Sequence, residues 1–91
     1  MSVGSRSSGK QLRLKLENLV STHPDCRINV DFEGISVVSS GFADEFLGRL
    51  FVRMGALRFM STIRPRTVSP EVRALLDRAI VQRVQWEARN D

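Results

Sequence analysis

The chain has 91 residues, enough for one small domain with a modest core, and its hydrophobic fraction of 42% and charged fraction of 26% are ordinary for a globular protein. No apolar run approaches the roughly 20 residues that span a membrane, and no signal segment is recognisable, so we expect a cytoplasmic protein with no membrane partner. Cys26 is the only cysteine, which excludes an intramolecular disulfide. One cysteine and one histidine, His23, cannot complete a zinc site, and we expect no metal and no cofactor.

The first predicted element follows a polar lead-in. Residues 1–9 are rich in Ser and Gly, which predicts a flexible segment. Ser8 and Gln11 have the spacing of a capping box, so a helix is predicted from there to about residue 20. Its apolar face consists of Leu12, Leu16, Leu19 and Val20. The alternation of leucine with charged residues over 12–16 is also typical of a strand. Segment 11–20 is therefore helix or strand, and we favour the helix because its polar residues are good helix formers.

Residues 27–32 predict a strand, because apolar and polar side chains alternate along them. Glu33 and Gly34 end this strand, and a short apolar segment follows at residues 35–38. The next helix is predicted to begin at about Phe42 and to end at Gly55, which is a favoured residue after a helix C-terminus. Its broad apolar face consists of Phe42, Phe46, Leu47, Leu50, Phe51 and Met54.

The C-terminal half predicts one more strand and one more helix. Residues 57–63 are the strand candidate, and Pro65 places the stretch around it at a sheet edge or in a loop, because proline cannot donate to a ladder. Ser69 followed by Pro70 gives a helix start. The apolar face of this last helix consists of Val72, Leu75, Leu76, Ala79 and Ile80. Strands separated by a helix are usually parallel. The predicted fold is α/β, with a short, mostly parallel sheet packed against three helices.

From these faces we predict one core on one side of the sheet. The residues expected to pack together there are Ile28, Val30, Phe46, Leu50, Leu75, Leu76 and Ile80.

The charge distribution leaves two function classes open. The formal net charge is +4, residues 28–48 carry no Lys or Arg, and residues 49–91 carry nine Arg. A basic surface is typical of nucleic-acid binding, so a small basic nucleic-acid-binding adaptor is the alternative function. We favour the interpretation that the arginines of the last helix lie on its solvated or partner-facing side. These are Arg73, Arg78, Arg83 and Arg89.

An enzyme is not expected from the titratable residues. Asp44 and Glu45 are paired carboxylates, but adjacent residues of a helix point about 100 degrees apart and should not share a substrate. The turn at residues 39–41 lacks the lysine that a phosphate-binding glycine loop requires.

The most informative stretch is residues 30–46, VDFEGISVVSSGFADEF. Two serines, Ser39 and Ser40, stand where a helix is about to begin. The free N–H groups and the dipole of a helix N-terminus stabilise a phosphate, so a serine there is suited to phosphorylation. A serine in that position is also the usual helix cap. The spacing alone leaves both interpretations open.

The same stretch resembles the signature of STAS domains, the fold shared by sulfate transporter tails and anti-sigma-factor antagonists. More closely, the chain resembles a bacterial family of STAS-like domains of unknown function. The matching pieces are VDFEGISVVSSGFADEF, then GALRF at 55–59, then VSPEVRALLDRAIVQR at 68–83. The likeness covers roughly residues 4–83. We therefore expect a STAS-like domain over 10–88, between the lead-in and a tail at 89–91.

The resemblance implies a non-enzymatic regulatory module that binds another protein. In the antagonists, the serine after the motif Asp is phosphorylated by a partner with a histidine-kinase-like ATPase fold, and that serine falls on Ser40, with Ser39 at the Asp position. Gly41 stands where a second Ser or Thr is usual, and Phe42 where Gly is usual. The resemblance thus implies Ser40, then Ser39, as phosphorylation candidates, and an ATPase-type serine kinase as partner. The implied partner-binding residues are Ser39, Ser40, Gly41, Phe42, Asp44 and Glu45.

Oligomeric state is a further expectation. STAS domains begin with strands that pair with the Asp-bearing strand, and here few residues precede the first helix. A short sheet leaves exposed edges that can pair with another chain. We therefore expect either homodimerisation through an exposed sheet edge or docking of that edge on a partner.

Overall fold

A computed structural model describes residues 2–90 of the chain, with side chains described from residue 4 onward. In chain order, the elements are β1 (Ser2–Val3), α1 (Arg6–Thr22), β2 (Ile28–Asp31), β3 (Val37–Val38), α2 (Ser40–Ala43), a π-helical turn (Asp44–Gly48), α3 (Arg49–Met54), α4 (Ala56–Thr62), β4 (Ile63–Arg66) and α5 (Pro70–Arg89). The backbone stays helical through the π turn, so residues 40–54 form one continuous rod, here called the central helix. No helix among residues 2–90 is long and apolar enough to cross a membrane.

The strands form two small parallel sheets. β2 pairs with β4 from Ile28 opposite Ile63 to Asp31 opposite Arg66, and β1 pairs with β3. The expected parallel arrangement is confirmed. The sheet is divided into two pairs of strands, and four helical rods surround it where the sequence predicted three.

The segment 11–20 is a helix, as favoured, but the helix begins earlier than the capping box predicted. Ser5 is the N-cap, and its hydroxyl oxygen accepts a hydrogen bond from the N–H of Ser8 at 3.0 Å. Residues 6–9 are therefore helical and Ser2–Val3 forms a strand, where the composition predicted a flexible lead-in. The buried residues of α1 are Gly9, Arg13, Leu16 and Val20. Leu12 and Leu19 were placed on the wrong face, since both are exposed.

The central helix begins two residues before the predicted Phe42 and ends as predicted. Ser39 caps it, and Gly55 follows its last residue with a φ of 85°, a backbone conformation that favours glycine. The side chains buried along it include Phe42, Phe46, Leu47 and Leu50.

The strand predicted at 57–63 is wrong, because residues 56–62 form α4. The buried residues of α4 are Phe59 and Thr62, which lie three residues apart and so share one face of a helix but not of a strand, and the strand begins only at Ile63. Pro65 lies in β4, opposite Val30. The carbonyl of Arg66 accepts from the N–H of Phe32 at 2.9 Å, so by alternation the backbone of Pro65 faces away from β2. Proline therefore occupies a sheet edge, as expected.

The α5 helix begins at the predicted signal. The Ser69 hydroxyl accepts from the N–H of Val72 at 3.2 Å, and Pro70 is the first helical residue. Of the predicted core residues, Phe46, Leu50 and Leu76 are buried. The others, Ile28, Val30, Leu75 and Ile80, are partly buried and pack against the core.

Candidate functional site

The two serines at the start of the central helix differ in their surroundings. The Ser39 hydroxyl accepts a hydrogen bond from the N–H of Phe42 at 3.0 Å and is partly buried, so this residue is the helix cap. Ser40 is the first helical residue and is exposed, and its hydroxyl has no hydrogen-bond partner among residues 2–90. Ser39 is therefore engaged in capping, and Ser40 is the more exposed serine of the pair.

Ser40 lies in a shallow cleft of about 290 Å³ between the start of α1, the central helix and the second half of α5. The residues that line it are Arg6, Ser40, Asp44, Gln82, Arg83 and Trp86. We call it the serine cleft. Trp86 is 48% exposed, and the guanidinium of Arg83 stands 5.0 Å from the centre of its ring. The cleft thus places the exposed hydroxyl near two guanidiniums and an exposed aromatic ring.

Asp44 is the carboxylate at the centre of the cleft, and two arginines hold it. Arg83 contacts it with both Nε and Nη2, at 2.8 and 2.5 Å, and Arg6 contacts it at 2.8 Å. The hydrogen bonds from Arg83, followed by those from Arg6, lower the pKa of Asp44 to about 2 despite the partial burial of the carboxylate. The same pairing raises the pKa of both arginines. Asp44 is therefore ionised and paired at neutral pH.

Glu45 is held in the same way by three arginines. Arg6, Arg13 and Arg49 approach its carboxylate at 3.2, 3.6 and 3.2 Å. The Arg13 side chain is only 5% exposed, and its Nε donates a hydrogen bond of 2.7 Å to the backbone carbonyl of Glu45. A buried guanidinium therefore ties α1 to the π turn. The guanidinium of Arg6 contacts Asp44 as well as Glu45, so it bridges the two neighbouring carboxylates.

The other two predicted partner-binding residues have different environments. Phe42 is 2% exposed, so its side chain belongs to the core and not to a recognition surface. Gly41 lies under the side chain of Arg6, since a Cβ placed there would be 2.9 Å from Arg6 Cγ. The absence of a side chain at residue 41 lets Arg6 cross the start of the central helix towards Asp44.

Sequence reasoning missed the cationic half of the site. Arg83 was expected on the solvated side of α5, but its side chain is 11% exposed and pairs with Asp44. Arg6 was assigned to a flexible segment. Both lie more than 35 residues from Asp44 in the chain, with sequence separations of 38 and 39. No local pattern signals such pairs.

The cleft does not offer a proton acceptor to the Ser40 hydroxyl. Asp44 is the carboxylate that lines it, and a carboxylate with a pKa of about 2 is a weak base at neutral pH. His23, the histidine of the chain, lies beyond the other end of α1, and its ring contacts the Thr22 hydroxyl. Within the described residues, no group of three His, Cys, Asp or Glu side chains is placed to hold a metal ion.

Comparison with known proteins identifies the family. No curated protein and no solved structure is significantly similar to the chain. A family model described as a STAS-like domain of unknown function (DUF4325) matches residues 8–73. That match includes most of α1, the whole central helix, β2, β3 and β4, and, among the residues that line the serine cleft, Ser40 and Asp44. The chain therefore belongs to the family of STAS-like domains of unknown function.

Proposed function

We propose that the domain is a non-enzymatic regulatory module that binds another protein at the serine cleft, and that phosphorylation of Ser40 controls this binding. The observation that carries the proposal is the exposed hydroxyl of Ser40 at the start of a helix, in a cleft lined by two guanidiniums. This hydroxyl makes no hydrogen bond within residues 2–90. Family membership supports a regulatory role only in outline. The choice of Ser40 over Ser39 rests on the different bonding of their hydroxyls.

The charge around Ser40 suits a phosphate. Asp44 and Glu45, in the first turns of the helix, would repel a phosphoryl group if their carboxylates were unpaired. Both are paired, however, and four guanidiniums surround the two carboxylates. A phosphate on Ser40 would bring about two negative charges close to these guanidiniums and to the free N–H groups of the helix start. The modification should therefore be tolerated by the fold.

The same phosphate would change the surface seen by a partner. Exposed Trp86 offers a flat apolar contact beside Ser40, and tryptophan is a frequent anchor of protein interfaces. A doubly charged group next to it would have to be desolvated for an apolar partner surface to dock. We therefore propose that unmodified Ser40 permits binding and that phosphoserine weakens it. The resemblance to anti-sigma-factor antagonists favours an ATPase-type serine kinase as that partner.

The test uses the whole chain in three forms, the parent, Ser40→Ala and Ser40→Asp. Each is immobilised to capture partners from cells that encode the protein, and a protein captured by the parent is purified and titrated against all three by calorimetry. Ser40→Ala should bind like the parent, and Ser40→Asp should bind about tenfold more weakly, because a charge enters a desolvated contact. Incubating the parent with the partner and ATP should place phosphate on Ser40, as located by mass spectrometry.

Ser39→Ala is the matched control, since it removes the neighbouring hydroxyl. It should lower the free energy of unfolding by about 1 kcal/mol, because the helix cap is lost, and it should leave the affinity for the captured partner unchanged. Equal affinities for Ser40→Ala, Ser40→Asp and the parent would show that the turn is not the recognition surface. Unfolding of both Ser40 variants would instead make Ser40 a structural residue and end the proposal.

A further inference from the structure

A second groove, of about 320 Å³, lies between α4, β4 and α5 and shares no lining residue with the serine cleft. Its floor is apolar and belongs to the core, with Phe59, Ile63 and Leu76 all 5% exposed or less. Met60, which is 64% exposed, stands at its side. The groove is therefore large enough to hold apolar side chains, and its floor consists of buried apolar side chains of the core.

The charged residues of this groove are predominantly basic. Arg64, Arg66 and Arg73 line it, against one carboxylate, that of Asp77. Asp77 pairs with Arg73 at 3.4 Å, and both side chains are more than half exposed, so that ion pair is weak. Neither Arg64 nor Arg66 has a side-chain hydrogen bond or ion pair with any residue from 2 to 90. The groove thus has a positive excess that the described residues do not neutralise.

Arg64 has an unsatisfied hydrogen-bonding group. Its Nε is buried, yet it makes no hydrogen bond within the described chain. Buried donors are nearly always paired, because leaving one unpaired costs the desolvation of that group. The buried Nε of Arg49 also makes no hydrogen bond, but it lies 3.2 Å from the carboxylate of Glu45, whereas Arg64 has no ion pair among the described residues. Arg64, which lines the β4 side of the groove, therefore has a buried donor without a hydrogen bond in the described chain.

From these features we propose that the groove is a second docking surface, and that its occupant is an acidic segment of a partner protein. Apolar side chains of that segment would insert over Phe59 and Leu76. Its carboxylates would meet Arg64, Arg66 and Arg73, which fits charge complementarity between partners. This inference does not depend on the serine cleft, and each surface can be lost without the other.

The edge of β4 argues against a second copy of this chain as the occupant. The backbone of Pro65 faces away from β2 and lacks an N–H, so a strand added there would lack one ladder donor. A recessed apolar floor also suits inserted side chains better than the flat surface of an anionic membrane. A protein segment with both carboxylates and apolar side chains satisfies all of these features.

Peptides that bind the full chain are selected from a displayed library of random peptides, and the most enriched peptide is synthesised as the probe. We expect enriched sequences to combine Asp or Glu with Leu, Phe or Met. Binding of the probe is measured by fluorescence anisotropy at low and high salt. Arg66→Glu with Arg73→Glu should weaken binding by about tenfold or more, since both charges face the probe. Arg78→Glu, the same change on an exposed position of α5 outside the groove, should leave binding unchanged.

Several results would overturn the proposal. Enriched peptides without acidic residues, or an equal loss of affinity in Arg78→Glu, would remove the groove as an acidic-segment site. Binding of phosphatidylserine vesicles that the double variant abolishes, with no peptide enrichment, would assign the groove to a membrane surface. A dimer of the parent that the double variant dissociates would assign it to a second copy. The Ser40→Asp variant should bind the probe as the parent does, which separates this test from that of the serine cleft.

Discussion

Replacing Asp44 by Asn should destabilise the domain in a way that depends on pH. The pKa of Asp44 is lowered from 3.8 to about 2, and a shift of this size corresponds to about 2 kcal/mol of folding free energy. Because the folded-state pKa lies below the unfolded-state value, this stabilisation is complete above about pH 5 and is lost as the pH falls through the folded-state pKa. At pH 7 the Asn variant should therefore be about 2 kcal/mol less stable than the parent. At pH 3 the difference should be about half as large.

The measurement is urea unfolding of both proteins at pH 7, 5, 4 and 3, followed by circular dichroism. The difference between the two free energies of unfolding isolates Asp44, because the other carboxylates are common to both proteins. Asp77→Asn is the control, since Asp77 forms an exposed pair with Arg73 and should contribute less than about 1 kcal/mol at any pH. A difference between parent and Asp44→Asn that stays constant from pH 7 to pH 3 would refute the ion-pair account of this site.

Three further predictions test the packing and the charge. Leu50→Ala should cost about 2–5 kcal/mol in chemical unfolding, because Leu50 is fully buried, and a cost under about half a kcal/mol would show that the core is misassigned. Gly9→Ala should cost about 1–3 kcal/mol, since its Cβ would lie 2.7 Å from the carbonyl oxygen of Phe42, whereas Gly4→Ala, with open space around it, should be neutral. The last prediction concerns three exposed arginines of α5, Arg73, Arg78 and Arg89. Neutralising all three should leave the thermal midpoint within a few degrees, and the parent should not shift DNA or RNA in a gel. Tight binding lost in the triple variant would favour the nucleic-acid alternative.

The parts of the fold that the sequence predicts are those with local signals. The Ser69-Pro70 start of α5, the alternation in β2 and the glycine after the central helix all act within a few residues of the element they define. The prediction of a strand at residues 57–63 failed because the local sequence pattern fits a helix as well as a strand. Leu, Arg and Met are good helix formers, and their apolar spacing fits either element over so short a window. The joint burial of Phe59 and Thr62, which distinguishes the helix from a strand, arises from tertiary contacts.

The candidate site was predictable in position but not in composition. The turn before the central helix was located from the serines, and their order in the helix start follows from capping rules. Which serine is free depended on where the helix begins, and that start lies two residues before the predicted one. The arginines of the cleft come from the first turn of α1 and from α5, where Arg6 and Arg83 had been taken for solvated residues. Long-range ion pairs leave no trace in a single sequence.

The serine cleft and the packing of the helices around it depend on the same contacts. Asp44 joins α1 and α5 to the central helix through Arg6 and Arg83, and Gly48 lets α5 approach, since its Cβ would be 3.3 Å from the carbonyl oxygen of Ala79. Substituting any of these residues changes stability together with the surface, so a loss of binding there would not identify a contact. Ser40 is different, because its hydroxyl is exposed and bonded to nothing in the described chain. Variants at this residue can therefore separate recognition from folding.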